Sequence, residues 1–262
     1  MSIADRVGGF EPGGPSRSPT MRVLSWNLFH GRAEPPAGRP LLHEFAVALR
    51  DWPWDVALLQ EVPPWWPPAL ARASGARWRA ARTSRNGCLP LRRAIAARRP
   101  DWLKSNGGGA NAILVRGGLR VDADASAVLR TRPERRVAHA LRIADPRGGP
   151  FDGAWIGNVH AQLGAWDDHG GMDAPAADLA LALERLRQWS GSGDAPVAIL
   201  GGDLNLPAPA VQERLPAGWL RACSHGPDHV LCVGAGPARR GGTLERGSLS
   251  DHAPIAVDLR RG

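Results

Sequence analysis

Tyrosine is absent from this 262-residue chain, and lysine occurs once, at Lys104. No phenol can therefore take part in any site, and the positive charge is almost entirely arginine. Cysteine is scarce. Cys88, Cys223 and Cys232 form no C-x-x-C pair, which excludes the usual thiolate metal sites and predicts buried, inert thiols. An odd number of cysteines suits a reducing compartment. No apolar run approaches the roughly 20 residues that a bilayer-spanning helix needs. Residues 1–20, MSIADRVGGFEPGGPSRSPT, lack the apolar middle of a secretory signal. These absences together place the expected location in the cytoplasm.

What is present reads as a folded α/β chain. Apolar residues make up 43% of the sequence, an ordinary value for a globular protein. The first 20 residues, rich in Gly, Pro and Ser, read as a disordered tail, and Met21 directly precedes the first strand. From 21 to 262 there is no internal repeat and no clear linker. The formal net charge is +8. Between residues 77 and 104, eight arginines and Lys104 face a single acid, Asp101, so the whole net charge resides there and the remainder is neutral. A local cationic patch attracts polyanions more strongly than a diffuse excess; the alternative is a solvated arginine-rich face.

Periodicity and breakers outline the elements. RVLSW, DVALLQ, NAILVR, LRVDADASAVLR, RVAHALRI, AWIGNV, APVAILGG, DHVLCV and APIAVDL read as strands. RWRAART alternates as a half-exposed strand does, while LLHEFAVALRDW, ALARA and APAADLALALERLRQW have helical spacing. Four apolar runs stop at a polar residue: Asn27, Glu61, His160 and Asp203. Parallel neighbouring strands would gather these tips at one sheet edge, where α/β proteins commonly bind ligands. Asp228 and the pair Asp251 and His252 begin their runs instead, and reach the same edge if those strands run antiparallel.

Several carboxylates at one edge repel one another unless a cation lies between them. Oxygen ligands without thiolates suit a hard ion such as Mg²⁺ or Mn²⁺, which leaves positions for phosphate oxygens. Histidines beside a metal-bound phosphate can activate water and stabilise a leaving group. For any single residue a turn former or helix cap is the simpler explanation. Six coincident strand tips favour phosphoester hydrolysis.

SWNLFHG, DVALLQEV, GNVHAQ, GGDLN and LSDHAPIAVDL, in that order, resemble the endonuclease/exonuclease/phosphatase superfamily over residues 21–259. The resemblance implies one catalytic domain over 21–262. Its fold would be a four-layer α/β sandwich, two mixed β-sheets packed face to face with helices outside. It implies Glu61 as the main metal ligand, with Asn27 and Asp251 close to the ion. His252, oriented by Asp228, would be general base or phosphate stabiliser, and Asp203 with Asn205 would hold the nucleophilic water and the phosphate. His160 matches the histidine of the deoxyribonuclease and sphingomyelinase branches. Asn111 and Arg136 resemble phosphate-contacting positions, although a strand-edge salt bridge explains Arg136 equally well. The missing tyrosine argues against the abasic-site branch, and His229 stands where an aromatic residue usually follows the aspartate. Segment 84–111 is longer and more basic than the core fold needs.

Three readings follow. One is a nuclease or phosphodiesterase acting on nucleic acid, favoured by the localised charge. A second is a phosphatase or phosphodiesterase on a small or lipid-derived phosphate, for which Trp52, Trp54, Trp65 and Trp66 could touch lipid. The third is a binding module without catalysis.

Overall fold

A computed structural model describes residues 20–84, 86–102, 109–164, 171–191 and 196–262. The expected tail lies outside these residues up to position 19, as do Arg85, Lys104 and most of the loop 105–111; Thr20 already opens the first strand. The chain first lays down β1 (Thr20–Asn27), β2 (Val56–Val62), β3 (Arg77–Arg82) and β4 (Ala110–Val115). It crosses to a second sheet with β5 (Arg120–Arg130), β6 (Arg136–Ala144), β7 (Trp155–His160), β8 (Ala198–Asp203), β9 (Leu220–His225) and β10 (Asp228–Val233). It returns through β11 (Ala235–Pro237), β12 (Gly242–Thr243) and β13 (Ile255–Arg261). The first sheet has the order β11-β13-β1-β2-β4-β3, with β12 also on β13, and the second β5-β6-β7-β8-β10-β9. Both are mixed: β1–β2 and β7–β8 are parallel and the other pairs antiparallel.

Three apolar clusters separate four layers. Val23, Val56, Leu58 and Ile113 of the first sheet meet Leu141, Ile156, Ile199 and Val230 of the second. Leu24, Trp26, Ala57 and Leu59, one residue out of phase, face α1 (Leu42–Asp51) and α2 (Pro67–Ser74). Ala140, Val159, Ala198 and Leu200 face α4 (Asp173–Ser190) and α5 (Ala208–Gln212). Alternate side chains thus feed opposite layers, as strand geometry requires, and the central strands of each sheet are covered on both faces. This is the expected four-layer sandwich. None of the described helices is long and apolar enough to cross a membrane.

Several expectations need correction. The four polar tips do not share one sheet edge: Asn27 and Glu61 end a parallel pair in one sheet, His160 and Asp203 a parallel pair in the other. They meet because the sheets are stacked. β3 is exposed at every position but Ala81 rather than alternately buried, because it is the last strand of its sheet and contributes nothing to the three clusters. Cys223 and Cys232 are buried, but Cys88 is exposed, just before the peripheral helix α3 (Leu89–Ala96). Three of these tryptophans pack inward: Trp54 and Trp66 are buried, and Trp52 meets Trp26 in a tilted contact with ring centroids 5.0 Å apart, while Trp65 is half-buried. β9 is a strand that the sequence pattern does not announce.

Candidate active site

Toward the C-terminal ends of the two parallel pairs, the layer between the sheets turns from apolar to polar. Gln60 Nε2 donates to Asn158 Oδ1 (2.8 Å), and Asn158 Nδ2 donates to the carbonyls of Leu59 and Ala112 (both 2.9 Å). These buried amides bridge the sheets and fix their separation, since breaking them would strand polar groups in the interior. Asn111 belongs to this layer: Nδ2 donates to Val137 O (2.9 Å), and Oδ1 has no partner among the described residues.

Just beyond lie the ionisable groups. β2 carries a bulge opposite β4, with two residues, Gln60 and Glu61, facing one, so that Glu61 leaves the ladder at φ 51° and turns inward. Asp203 follows two glycines, of which Gly202 is the more tightly constrained. A Cβ on Gly201 would lie 2.5 Å from Leu58 Cδ1 across the sandwich, and one on Gly202 (φ 146°) would lie 1.8 Å from Val159 O on β7. Asp203 Oδ2 accepts from Asn27 Nδ2 (3.0 Å), and Oδ1 accepts from the Asn205 amide (3.0 Å). His160 Nε2 lies 3.5 Å and His252 Nε2 3.7 Å from Asp203 Oδ2. His252 Nδ1 is 2.7 Å from Asp228 Oδ2, Asp228 being paired in register with Asp203 across β10 and β8. Asp251 Oδ1 stands 3.9 Å from His252 Nε2. The structure therefore gathers Asn27, Glu61, His160, Asp203, Asn205, Asp228, Asp251 and His252 in one place.

Arg136 is buried at the cleft wall. It is held by Glu134 Oε2 (2.7 Å) and Gln162 Oε1 (3.3 Å), so it makes a salt bridge and still lines the cleft. Two further residues belong here. His30 Nε2 lies 3.1 Å from Glu61 Oε2, brought under the β2 tip by a tight turn over Phe29–Gly31. Ser250, wholly buried, donates Oγ to Asn27 O (2.7 Å) and accepts from His252 N (3.0 Å), pinning the loop before β13 to the end of β1. A polar residue just past a strand tip, as His30 is in SWNLFHG, was the available signal.

The electrostatics fit a cation. Burial pushes the Glu61 carboxyl up to about 7, with the charges of Asp203 and Asp251 adding to it. Burial likewise raises Asp203 and lifts Asp228 to about 6. Burial opposes protonation of His252, but the Asp228 hydrogen bond and the surrounding carboxylates outweigh it and push the imidazole up to about 9. At neutral pH His252 and Asp228 form an imidazolium–carboxylate pair. His160 is held well below the ordinary histidine value, first by burial and then by Arg136, and is neutral. Ligand atoms of Asp203, Asp228 and His252 lie within 4.8 Å of one another, close enough for an ion. However, Asp228 and His252 already satisfy each other, so the oxygens of Glu61, Asp251 and Asn27 are the better match to a hard cation.

The sequence model of the Endonuclease/Exonuclease/phosphatase family matches residues 24–252. No curated protein matches the chain. Among solved structures, mannosyl-6-phosphatase of Bacteroides thetaiotaomicron is 17% identical, with 91% of this chain and 99% of that one covered and a TM-score of 0.66. Truncated TDP2 of Caenorhabditis elegans is 17% identical, with 92% and 97% covered and a TM-score of 0.63. An endonuclease/exonuclease/phosphatase from Beutenbergia cavernae is 18% identical, with 93% and 72% covered and a TM-score of 0.66. At these identities the likeness is one of fold.

Proposed function

Because the chain belongs to the endonuclease/exonuclease/phosphatase family, whose members are metal-dependent phosphoester hydrolases, we propose that it is a Mg²⁺- or Mn²⁺-dependent phosphodiesterase acting on nucleic acid. The observation that carries the choice of substrate is the arginine-rich edge. Arg77, Arg79 and Arg82 on β3 and Arg93, Arg98 and Arg99 on and after α3 are exposed. Thr83 and Ser84, at the end of β3, line the cleft beside Glu61 and Arg136. Exposed arginines give affinity for a phosphodiester backbone without reading its sequence.

Glu61, Asn27 and Asp251 would hold the ion. When bound, it supplies positive charge that polarises the phosphoryl group and orients its oxygens. Asp203, fixed through Asn27 and the Asn205 amide, holds the attacking water and takes up its proton. Neutral His160 positions that carboxylate from the opposite side. His252 carries a proton at neutral pH, which favours the phosphate stabiliser over the general base: its Nε2–H faces the developing negative charge while Asp228 holds Nδ1. Arg136 contacts a phosphate oxygen from the cleft wall. Asn111 has Nδ2 committed to Val137, so we give it a bridging role between the sheets in place of phosphate contact. The complete set of acids, amides and imidazoles speaks against a binding module without catalysis.

A second reading, hydrolysis of a small or lipid-derived phosphate, is favoured by the floor of the cleft. The space among His30, Glu61, Arg136 and His160 is about 50 Å³, room for one phosphoryl group. A panel of single-stranded DNA, plasmid DNA, RNA, sphingomyelin, inositol phosphates and a generic phosphodiester, each with Mg²⁺ or Mn²⁺ and with EDTA, decides between them. Turnover of the small esters alone would sink the nucleic-acid reading, and full turnover in EDTA would sink metal dependence.

A further inference from the structure

Beside the cleft lies a second concavity that none of the proposed chemistry uses. It has a volume of about 570 Å³ and is walled by Pro64, Trp65, Leu89, Pro90, Ala94 and Ala97, with Arg82 and Arg93 at its rim. Three features define what it can take. Its size falls in the range of pockets that hold a ligand of drug or nucleotide size, roughly 300–1,000 Å³. Its walls are apolar and include an indole, while no acidic side chain lines it and two guanidiniums do. It adjoins the cleft along the chain: Arg82 lines the groove, and the next two residues, Thr83 and Ser84, line the cleft. Pro64 and Trp65 follow Glu61 by three and four residues on the other side. A ligand that fills the groove and also reaches the cleft with a phosphate matches this lining if it carries a flat apolar body and further negative charge near Arg82 and Arg93.

We propose that this groove is a subsite for the nucleotide adjoining the scissile phosphate, its base lying against Trp65 and the helix α3, its outer phosphate met by Arg82 and Arg93. This rests on the nucleic-acid reading above and extends it: the substrate enters as an unpaired strand or a frayed end, since a paired base cannot reach the indole. Recognition by stacking tolerates every base, so cleavage shows little sequence preference. Segment 84–111, longer than the core fold needs, thereby has a role: its helix supplies the far wall of the subsite.

The test fills the groove without removing anything. Ala94 is exposed, so Ala94→Trp occupies the space without disturbing the core; Ala97→Trp is the second variant, and Leu181→Trp on the exposed face of α4 is the mock substitution. Thermal unfolding checks each fold. With a short single-stranded oligonucleotide, the filled variants should raise KM by roughly 5- to 100-fold, the range of one lost base stack, with kcat nearly unchanged. An abasic residue scanned across the positions flanking the scissile bond should raise the parent's KM similarly at one position. It should raise that of Ala94→Trp no further, because the same contact has already been lost. A parent that cleaves the oligonucleotide, with filled variants of the same KM, would overturn the subsite and leave the nucleic-acid reading standing. A parent that cleaves no nucleic acid would overturn both. Lipid-ester turnover that drops in Ala94→Trp, with no oligonucleotide turnover in the parent, would assign the groove to an acyl chain instead.

Discussion

Glu61 concentrates the costs of this site. Its backbone is left-handed, a conformation that disfavours residues with a Cβ by about 1–2 kcal/mol. Phe29, His30, Asn205 and Ser250 share that conformation and stand at the same end of the sandwich, so strain is gathered where side chains must be aimed off the strands. Glu61 also carries an electrostatic cost. Its carboxyl rises from 4.5 to about 7 in the folded chain, which corresponds to about 3 kcal/mol. The folded state therefore holds the proton more tightly than the unfolded one. This contribution to stability is complete below pH 4.5 and is lost as the pH rises through 7. In EDTA, Glu61→Gln should match the parent in urea unfolding at pH 4.5 and exceed it by up to about 3 kcal/mol at pH 7.5 or above, while raising the metal requirement for turnover. A stability difference that does not change with pH would refute this account of Glu61. The roles proposed for the His252 imidazole and the Asp203 carboxylate predict that His252→Ala and Asp203→Ala each lower kcat by about 10²–10⁴-fold, the usual weight of such groups, with the fold intact. A folded His252→Ala enzyme at the parental rate would remove that residue from the reaction.

Strands act here in pairs, and the spacing of a pair decides where its tips go. β7 and β8 run parallel with Val159 opposite Gly202, and the carbonyl of Val159 occupies the space a side chain on Gly202 would fill. Gly202→Ala should cost about 3 kcal/mol or more, at the upper end of overpacking penalties, and should displace Asp203. Gly226→Ala, left-handed but with nothing within 4 Å, should cost only about 1–2 kcal/mol. Equal shifts in denaturant midpoint for the two would contradict the close approach. The peripheral pair β3 and α3 behaves differently, since nothing in α3 is buried and β3 is exposed almost throughout. Replacing Arg92, Arg93, Arg98 and Arg99 with Ser should change stability by no more than about 0.5 kcal/mol per residue. It should weaken oligonucleotide binding and flatten its dependence on salt, because about 0.7–0.9 counterion is released per phosphate neutralised. An unchanged slope of log affinity against log salt would reduce the arginines to a solvated face.

Across the whole molecule, the two sheets hold like charges together that neither would hold alone. A cation held by Asn27, Glu61 and Asp251 would be coupled to folding, because these ligands come from β1, β2 and the loop before β13, three distant chain segments that only the folded first sheet sets side by side against Asp203 of the second. Mg²⁺ or Mn²⁺ at about 100 times its dissociation constant should add about 2.7 kcal/mol. For a chain of this size that raises the unfolding midpoint by roughly 5–10 °C. The rise should be lost in Glu61→Gln and kept in Leu181→Trp; a midpoint indifferent to metal in the parent would argue against an ion at this site.

The sequence by itself determined most of the strands, the main helices and most of the residues that the structure gathers at the cleft, because each rests on local physics. Apolar runs that end at Asn27, Glu61, His160 and Asp203 mark strand tips whatever the partners are, and the order of five short motifs fixes the family. Only the tertiary structure decided that these tips belong to two sheets, since pairing depends on contacts between distant segments and leaves no local pattern. His30 and Ser250 were hidden for the same reason. Each looks like an ordinary turn residue until the side-by-side pairing of β13, β1 and β2 in one sheet brings it within hydrogen-bonding range of a site residue. The groove beside Trp65 is likewise a property of packing: its walls come from segments that follow β2 and β3, and their spacing is set by the edge of the sheet rather than by either stretch of sequence.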